Sequence, residues 1–315
     1  MDFMKKKQKK IIFISLAVVL SLVFAGIAGT YLYTQSLLNK IQREKIDQSP
    51  DALGIDKDAD EKIKNNKNSK NITNIALFGI DAEDGKAGRS DAIMILSIDE
   101  AHGKVKLASI MRDSYVNIDG RGMDKINHAY AFGGPQLALK TINSNYKLNI
   151  KDYVSVNFSS LPKLVDAVGG VEIDIKDYEL SELKSYGITT TGLQTLNGNQ
   201  ALKYARIRYV GNGDYERTER HRTILSSVFS KLMKQDKGKI LSTVSDILPM
   251  VKTNLSNGEI MDLTLDVIDI KPSKIEQIRF PADGYCQGKM IGGIYYLTFD
   301  QEATNEQLYK FIFEE

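Results

Sequence analysis

The sequence predicts an α/β fold: a single extracellular domain whose mixed central β-sheet is covered by helices on both faces, tethered by one N-terminal transmembrane helix. Two observations carry this. From residue 72 onward, short apolar runs of buried-strand type alternate with amphipathic helical stretches. Ahead of them, residues 11–33 form an uncharged run of 23 residues dominated by Leu, Val, Ile, Phe and Ala. About 20 such residues cover a hydrocarbon core of roughly 30 Å, whereas a cleavable signal peptide has a shorter apolar region.

Residues 1–10 hold five lysines and one aspartate, while 34–51 hold three charges of each sign. The positive-inside rule therefore keeps the basic tail, 1–10, in the cytoplasm, makes 11–33 a single-pass span of the cell membrane, and places everything beyond it outside. Residues 34–71 are rich in Lys, Asn, Asp and Gln and read as a polar extracellular stalk. The globular domain then covers 72–315.

Within that domain, ITNIALFGI ends a first strand at Asp81, and AIMILSI (92–98) and KVKLASI (104–110) make a hairpin around DEAHG. A helix follows from Pro135 to Tyr146, with proline acceptable in its first turn, then the strand DYVSVNF. SSLPKLVDAVGG is a helix closed by glycine and leads into the strand VEIDI. Asn197 caps a helix through Ala201 to Tyr204. Asp214 opens a long amphipathic helix to about Gln235, with Ile224, Leu225, Val228, Phe229, Leu232 and Met233 on its buried side. Helical stretches near 240–250 and 260–268, a strand at 275–280 and a closing helix from Thr304 complete the domain.

An apolar fraction of 42% suits a globular core. The formal charge of +2 leaves −2 once the N-terminal tail is removed, so the domain has no basic stripe and no nucleic acid is expected as a partner. A lone cysteine, Cys286, excludes an internal disulfide framework and reads as inert. Three dispersed histidines, with no HExxH, CxxC or GxSxG, exclude a zinc hydrolase and a serine-hydrolase elbow. Gly79 to Ala87 misses the phosphate-loop spacing.

What remains is aspartate and arginine at strand ends. Asp81 closes the first strand, Arg89 and Asp91 precede the second, and Arg112 and Asp113 follow the third. Carboxylates that hold Mg²⁺, with guanidiniums that neutralise phosphate oxygens, suit phosphoryl transfer without a Ser, Cys or His nucleophile. Taken singly, Asp81 and Asp113 are equally loop acids and Arg89 a surface ion-pair partner. A second cluster is YARIRYVGNGDYERTERHR. Strand-like alternation puts Arg206 and Arg208 on one face, and Asp214, Arg217 and His221 share a helix surface at i, i+3 and i+7. Arg220 is counted with this basic group, although Glu216 and Glu219 offer it and Arg222 structural partners.

The ordered set GID (79–81), RSD (89–91), RDSYV (112–116), KINHAYAFGG (125–134), VNF with LVDAVGGVEI, LNGNQALKYARIR (196–208) and GDYERTERH (213–221) resembles the LytR-CpsA-Psr family over about 240 residues. The resemblance implies a Gram-positive cell-wall transferase. Such an enzyme moves teichoic acid, capsular polysaccharide or a similar glycopolymer from undecaprenyl pyrophosphate to the C6 hydroxyl of N-acetylmuramic acid in peptidoglycan. It implies Mg²⁺ (or Mn²⁺) on Asp81 and Asp91, a pyrophosphate clamp of Arg89, Arg112, Arg206, Arg208 and Arg217 with Lys125 as helper, and Asp214 orienting the cluster. Asp113 is either a base or a structural acid. The prenyl tail calls for an apolar groove, for which Leu164, Val165, Val228 and Phe229 are candidates. His221 stands where the family has glutamine and Met111 where proline is common. A phosphate-contacting His221 implies activity that shifts between about pH 6 and 7.

Two other functions compete: hydrolysis of the lipid pyrophosphate, and a non-catalytic wall-binding or regulatory protein. DNA regulation is set aside because only ten residues lie on the cytoplasmic side. Retention of both aspartates and the arginines favours the enzyme over the binder.

Overall fold

The computed structural model describes residues 32–82, 88–235, 242–243, 245–270, 272 and 274–314. The basic tail and nearly all of the expected membrane span lie outside them. Among the described residues, no helix is long and apolar enough to cross a membrane.

A seven-stranded mixed sheet forms the centre, built from β1 (Gln42–Arg43), β2 (Ile72–Asp81), β3 (Arg89–Asp99), β4 (Lys104–Ile110), β7 (Asp152–Asn157), β10 (Val251–Thr253) and β11 (Ile275–Phe280) in the order β1-β10-β7-β2-β3-β4-β11. The expected hairpin is β3 against β4, antiparallel, with Ile93 opposite Ile110 and Asp99 opposite Lys104. Strand β7 joins β2 in parallel, and β11 joins β4 in parallel. Between Gly79 and Ile80 the β2–β3 register shifts: Gly79 pairs with Ala92 and Ile80 with Ser90. Asp91 is therefore the extra residue of a bulge, a device that re-aims a side chain.

Alternation along the central strands feeds two faces. On one, Ala76, Phe78, Ile93, Ile95, Ala108 and Ile110 pack with α2 (His128–Tyr146) and α7 (Gln301–Phe313). In α2 the backbone is non-helical at Gly133 and Gly134, so Pro135 does open a helical segment. The buried Lys106 donates from Nζ to the carbonyls of Phe311 (2.8 Å) and Ile312 (3.2 Å), placing a cation at the C-terminal end of α7. On the other face lies α5 (Asp214–Met233). It also closes a second core with α3 (Leu161–Ala167), α4 (Gly198–Ala205) and the separate hairpin β8 (Val171–Ile175) and β9 (Gly192–Leu196). Asn197 caps α4 as expected: its side chain accepts from Gln200 N, and the Gln200 side chain accepts from Asn197 N. The strand VEIDI thus exists but lies outside the central sheet.

Several expectations need correction. Residues 34–71 are not a free stalk. Leu37, Leu38 and Ile41 pack on Leu248, β1 extends the sheet, and Leu53 (0% exposed) and Ile63 (4%), the latter on α1 (Lys57–Asn65), enter the main core. Dispersal of these few apolar residues among many polar ones hides them from a composition argument. On α5, Ile224 and Val228 are buried, whereas Met233 at its last position is exposed. Two hairpins carry no clear sequence signal: β5 (Tyr115–Ile118) with β6 (Gly122–Lys125), and β12 (Cys286–Ile291) with β13 (Ile294–Phe299). The described part of the 240–250 stretch is helical at 242–243 and 245–247 and a 3₁₀ turn at Leu248–Met250, and Asn257–Ile270 is the helix α6.

Because the segment before β2 supplies core residues, a chain beginning at residue 72 should melt well below one beginning at residue 32. Leu53→Ala alone should cost about 2–5 kcal/mol. Equal melting midpoints for the two truncations would show that the segment contributes nothing.

Candidate active site

The site forms where the bulge in β3, the end of β4 and the N-terminus of α5 meet. Arg112, just past β4, is buried between two carboxylates. Its Nη1 donates to Asp91 Oδ2 (2.7 Å), and its Nε and Nη2 donate to Asp214 Oδ2 (3.1 and 2.9 Å). Burial alone would lower the Arg112 pKa, but Asp91, Asp214 and Asp113 together raise it. Asn127 holds the other oxygen of Asp91 through Nδ2 (3.0 Å). Arg217, one turn into α5, lies 3.5 Å from both Asp91 and Asp214, and its buried Nε has no hydrogen-bond partner. Burial, then the neighbouring Arg112, pulls the Arg217 pKa down. Arg112, Arg217, Arg208 and Lys125 stand against Asp91, Asp214 and Asp113, and the pKa of the last is raised, so the layer is short of negative charge.

Asp113 sits in the same layer, buried, with Lys125 Nζ at 2.7 Å from Oδ1. Burial and a hydrogen bond with Asp214 raise its pKa. Asp214 is half-buried, which would raise its pKa, but its contact with Asp113 and the cations Arg217 and Arg112 bring it to about 2. Of the two carboxyls, Asp113 takes a proton first and Asp214 stays ionised. At the rim, Asp81 pairs with Arg206 (3.6 Å) and Arg208 with Asp214 (3.4 Å). Arg89 stands opposite Asp81 in the sheet register and is exposed.

The structure thus brings together Asp91, Arg112, Asp113, Lys125, Asp214 and Arg217, with Asp81, Arg89, Arg206 and Arg208 around them. Arg206 and Arg208 arrive by a different route from the strand alternation expected: Arg206 caps the C-terminal end of α4 and Arg208 lies in the turn that follows.

Two predicted site residues are corrected. Arg220 is 2% exposed and turned away, with Nε on Glu179 Oε1 and Nη2 on Glu216 Oε2, both at 2.7 Å. At about 100° per residue it lies about 120° from Asp214 around the helix, whereas His221 lies about 20° from it. His221 does face the site, but it is buried beside Phe158, and its Nε2 donates to the Ala205 carbonyl at 3.0 Å. Burial, then Arg217, lowers its pKa to about 3, so it carries no charge near neutrality. The expected titration between pH 6 and 7 does not arise. Asn127 and Tyr295 escaped the sequence reading: Asn127 is an unremarked member of KINHAYAFGG, and Tyr295 belongs to an unrecognised hairpin.

Behind His221 opens an apolar cavity of about 220 Å³ between the sheet and α5, lined by Leu77, Gly79, Ala92, Met94, Val154, Val156, Leu161, Leu164, Ile224, Leu225 and Val228. Gly79 keeps it open, since a Cβ there would lie 2.9 Å from that of Ala92 and 3.2 Å from the Phe158 ring. Of the expected groove residues, Leu164 and Val228 line it, Val165 is sealed in the second core, and Phe229 is not in the wall.

Among the described residues no three His, Cys, Asp or Glu side chains form a metal-binding group. Asp81 and Asp91 nevertheless suit a hard divalent ion that completes its shell from phosphate and water. Asp81 is half exposed, and each Asp91 oxygen accepts from one side-chain donor, leaving a lone pair over.

The LytR_cpsA_psr family model matches residues 31–312. The polyisoprenyl-teichoic acid–peptidoglycan teichoic acid transferase TagU of Enterococcus faecalis is 37% identical over 240 residues, covering 73% of this chain and 76% of the relative. The Bacillus cereus protein of the same description is 31% identical over 310 residues, covering 95% of each. Among solved structures, TagT bound to LIIa-WTA superposes with a TM-score of 0.64 at 26% identity, covering 77% of this chain and 91% of the other. The LytR-CPS2A-psr family protein YwtF (TagT) with bound octaprenyl pyrophosphate lipid gives 0.61 at 25%, with the same coverage.

Two outcomes follow from the site. His221→Gln should leave the activity profile between pH 6 and 7 unchanged. In the folded protein His221 stays neutral down to about pH 3, while the unfolded chain binds its proton near 6.5. Stability is therefore lost as pH falls below about 6.5, by about 2 kcal/mol at pH 5, and melting curves of His221→Gln should show less of this loss. Arg220→Ala, which strands the buried Glu179, should cost about 3–5 kcal/mol in urea unfolding. An unchanged urea midpoint would show that the Glu179 pair is not structural and return Arg220 to the candidate site.

Proposed function

From the premise that the chain belongs to the LytR-CpsA-Psr family, we propose that it is a membrane-tethered phosphotransferase of the cell exterior. It transfers an anionic glycopolymer of the teichoic acid type from a polyprenyl pyrophosphate to the C6 hydroxyl of N-acetylmuramic acid in peptidoglycan. The observation that carries this reading is a buried arginine pair, Arg112 and Arg217, in a layer where cations outnumber ionised carboxylates, beside an apolar cavity whose wall includes His221. A pyrophosphate joined to a prenyl chain has the matching two halves. The teichoic acid transferase names of the relatives and the octaprenyl pyrophosphate bound to a similar structure support it.

In this reading the tail enters between Leu164, Val228 and the sheet, where its apolar surface leaves water. Arg112 spends three of its five N–H donors on Asp91 and Asp214, which fixes its plane and leaves two donors for phosphate oxygens. Arg217, whose Nε lies 3.5 Å from Asp214 Oδ1 without a hydrogen bond, adds a second guanidinium, and Arg208, Arg206 and Arg89 close over the rim. Asp81 and Asp91 would hold Mg²⁺ or Mn²⁺, which when bound offsets charge on the pyrophosphate. The acceptor oxygen forms a bond to the phosphorus that carries the glycan while the bridging P–O bond breaks. Its proton passes to the Asp113–Asp214 pair, and polyprenyl phosphate leaves with its charge against Arg112 and Arg217.

The test uses the full chain with a lipid-linked glycan, Mg²⁺ and peptidoglycan, measuring covalent attachment. Asp91→Ala should lower the rate by at least about 100-fold, since it removes both a metal ligand and the anchor of Arg112. Attachment that persists undiminished in Asp91→Ala, or in the presence of a chelator, overturns the mechanism.

A further inference from the structure

Two cavities flank the layer of Asp91, Arg112 and Asp214 and share no lining residue: the apolar one borders it through His221 and Ala92, the other through Asp113 and Asp214. One is the apolar cavity. The other is a cleft of about 360 Å³ on the side of Asp113 and Asp214, walled also by Arg208, Asn212, Tyr215 and Tyr295. We infer that this cleft receives the acceptor and that Tyr295 is its positioning residue, the aromatic face on which a sugar ring of the acceptor glycan stacks.

On the transfer reading above, the geometry of the displacement sets the side from which the acceptor comes. Attacking and leaving oxygens lie roughly in line on opposite sides of the phosphorus. The leaving oxygen belongs to the lipid phosphate, whose tail occupies the apolar cavity. The attacking oxygen therefore comes from the far side of the layer, where the proton-accepting Asp113–Asp214 pair borders the second cleft. Its lining, an aromatic ring among polar and charged side chains, suits a sugar. A prenyl chain would have to desolvate Arg208 and both carboxylates, and an anion would meet those carboxylates at close range. A sugar brings hydroxyls for Asn212 and Arg208 and an apolar C–H face for an aromatic ring.

Tyr295 is built to present such a face. It lies on β13 opposite Met290, and its ring edge and hydroxyl rest against Gly288 of β12, where a Cβ would come within 2.7 Å. Glycine at 288 thus lets the ring lie down over the hairpin. The ring is 42% exposed, so it keeps free surface, and Lys125 Nζ stands 6.0 Å from its centroid, which ties its position to Asp113. Burial, then Asp113 and Asp214, raises the phenol pKa, so it remains a neutral hydrogen-bonding group.

The experiment compares the full-length wild type, Tyr295→Ala, Tyr295→Phe and Gly288→Ala in three assays: attachment against peptidoglycan concentration, attachment against donor concentration, and release of polyprenyl phosphate without peptidoglycan. Tyr295→Ala should raise the KM for peptidoglycan about fivefold to tenfold, the scale of one lost aromatic contact, with donor KM and water-driven release unchanged. Tyr295→Phe should stay near wild type, and Gly288→Ala, which displaces the ring without removing it, should fall between. The exposed hairpin variant Ile294→Ala should match wild type in all three assays, as should the melting midpoints of the series. If the wild type attaches glycan but Tyr295→Ala keeps its peptidoglycan KM, or raises the donor KM equally, this inference fails while the transfer reading stands. If the wild type attaches nothing, both fail.

Discussion

The contact on which the rest of the structure depends is Arg112 gripped between Asp91 and Asp214. It joins the sheet to α5 at the one end where neither core reaches, because Asp91 belongs to β3, Arg112 follows β4 and Asp214 begins the helix. Buried charges of this kind stabilise only when geometry and hydrogen bonds are nearly complete. Here they are incomplete in a particular way. Arg217 Nε and Asp214 Oδ1 lie 3.5 Å apart, an ion pair without a hydrogen bond. The layer is held firmly enough to keep its shape and left open enough to take up negative charge.

Around that layer the chain keeps three chemistries apart. Apolar side chains of β2, β3, β7 and α5 enclose one side, a carboxyl pair of unequal acidity borders the other, and half-exposed cations ring the edge. The neutral His221 belongs to this partition. Its ring seals the cavity wall beside Phe158 while its N–H is spent on the Ala205 carbonyl. A charged imidazole there would have to be desolvated next to Arg217, and burial decides against it.

Strand register and spacing account for much of what positions the layer. One extra residue in β3 turns Asp91 toward α5, and bare Gly79 opposite Ala92 leaves the hollow beside it. Both effects come from β2 and β3 being paired, so neither strand alone reveals them. The same holds for Arg206 and Arg208. Read as a strand, they share a face through alternation. In the fold they converge because α4 ends at Arg206 and the following turn carries Arg208 back to α5.

What the sequence determined by itself was set by near neighbours along the chain. Strand runs such as residues 92–98 and 275–280, the Asn197 cap, the start of α5 at Asp214 and the aspartates and arginines at strand ends follow from periodicity, capping and charge, which act over a few residues. The tertiary structure decided what depends on burial and on partners distant in sequence. Arg220 and Arg217 are three residues apart with the same charge, yet Glu179, distant in sequence, claims one and leaves the other to the site. The Leu53 segment looks like solvated linker until the sheet and α2 offer it a surface. A side chain's charge state and its role are properties of the space it enters, and pairwise local rules carry no information about that space.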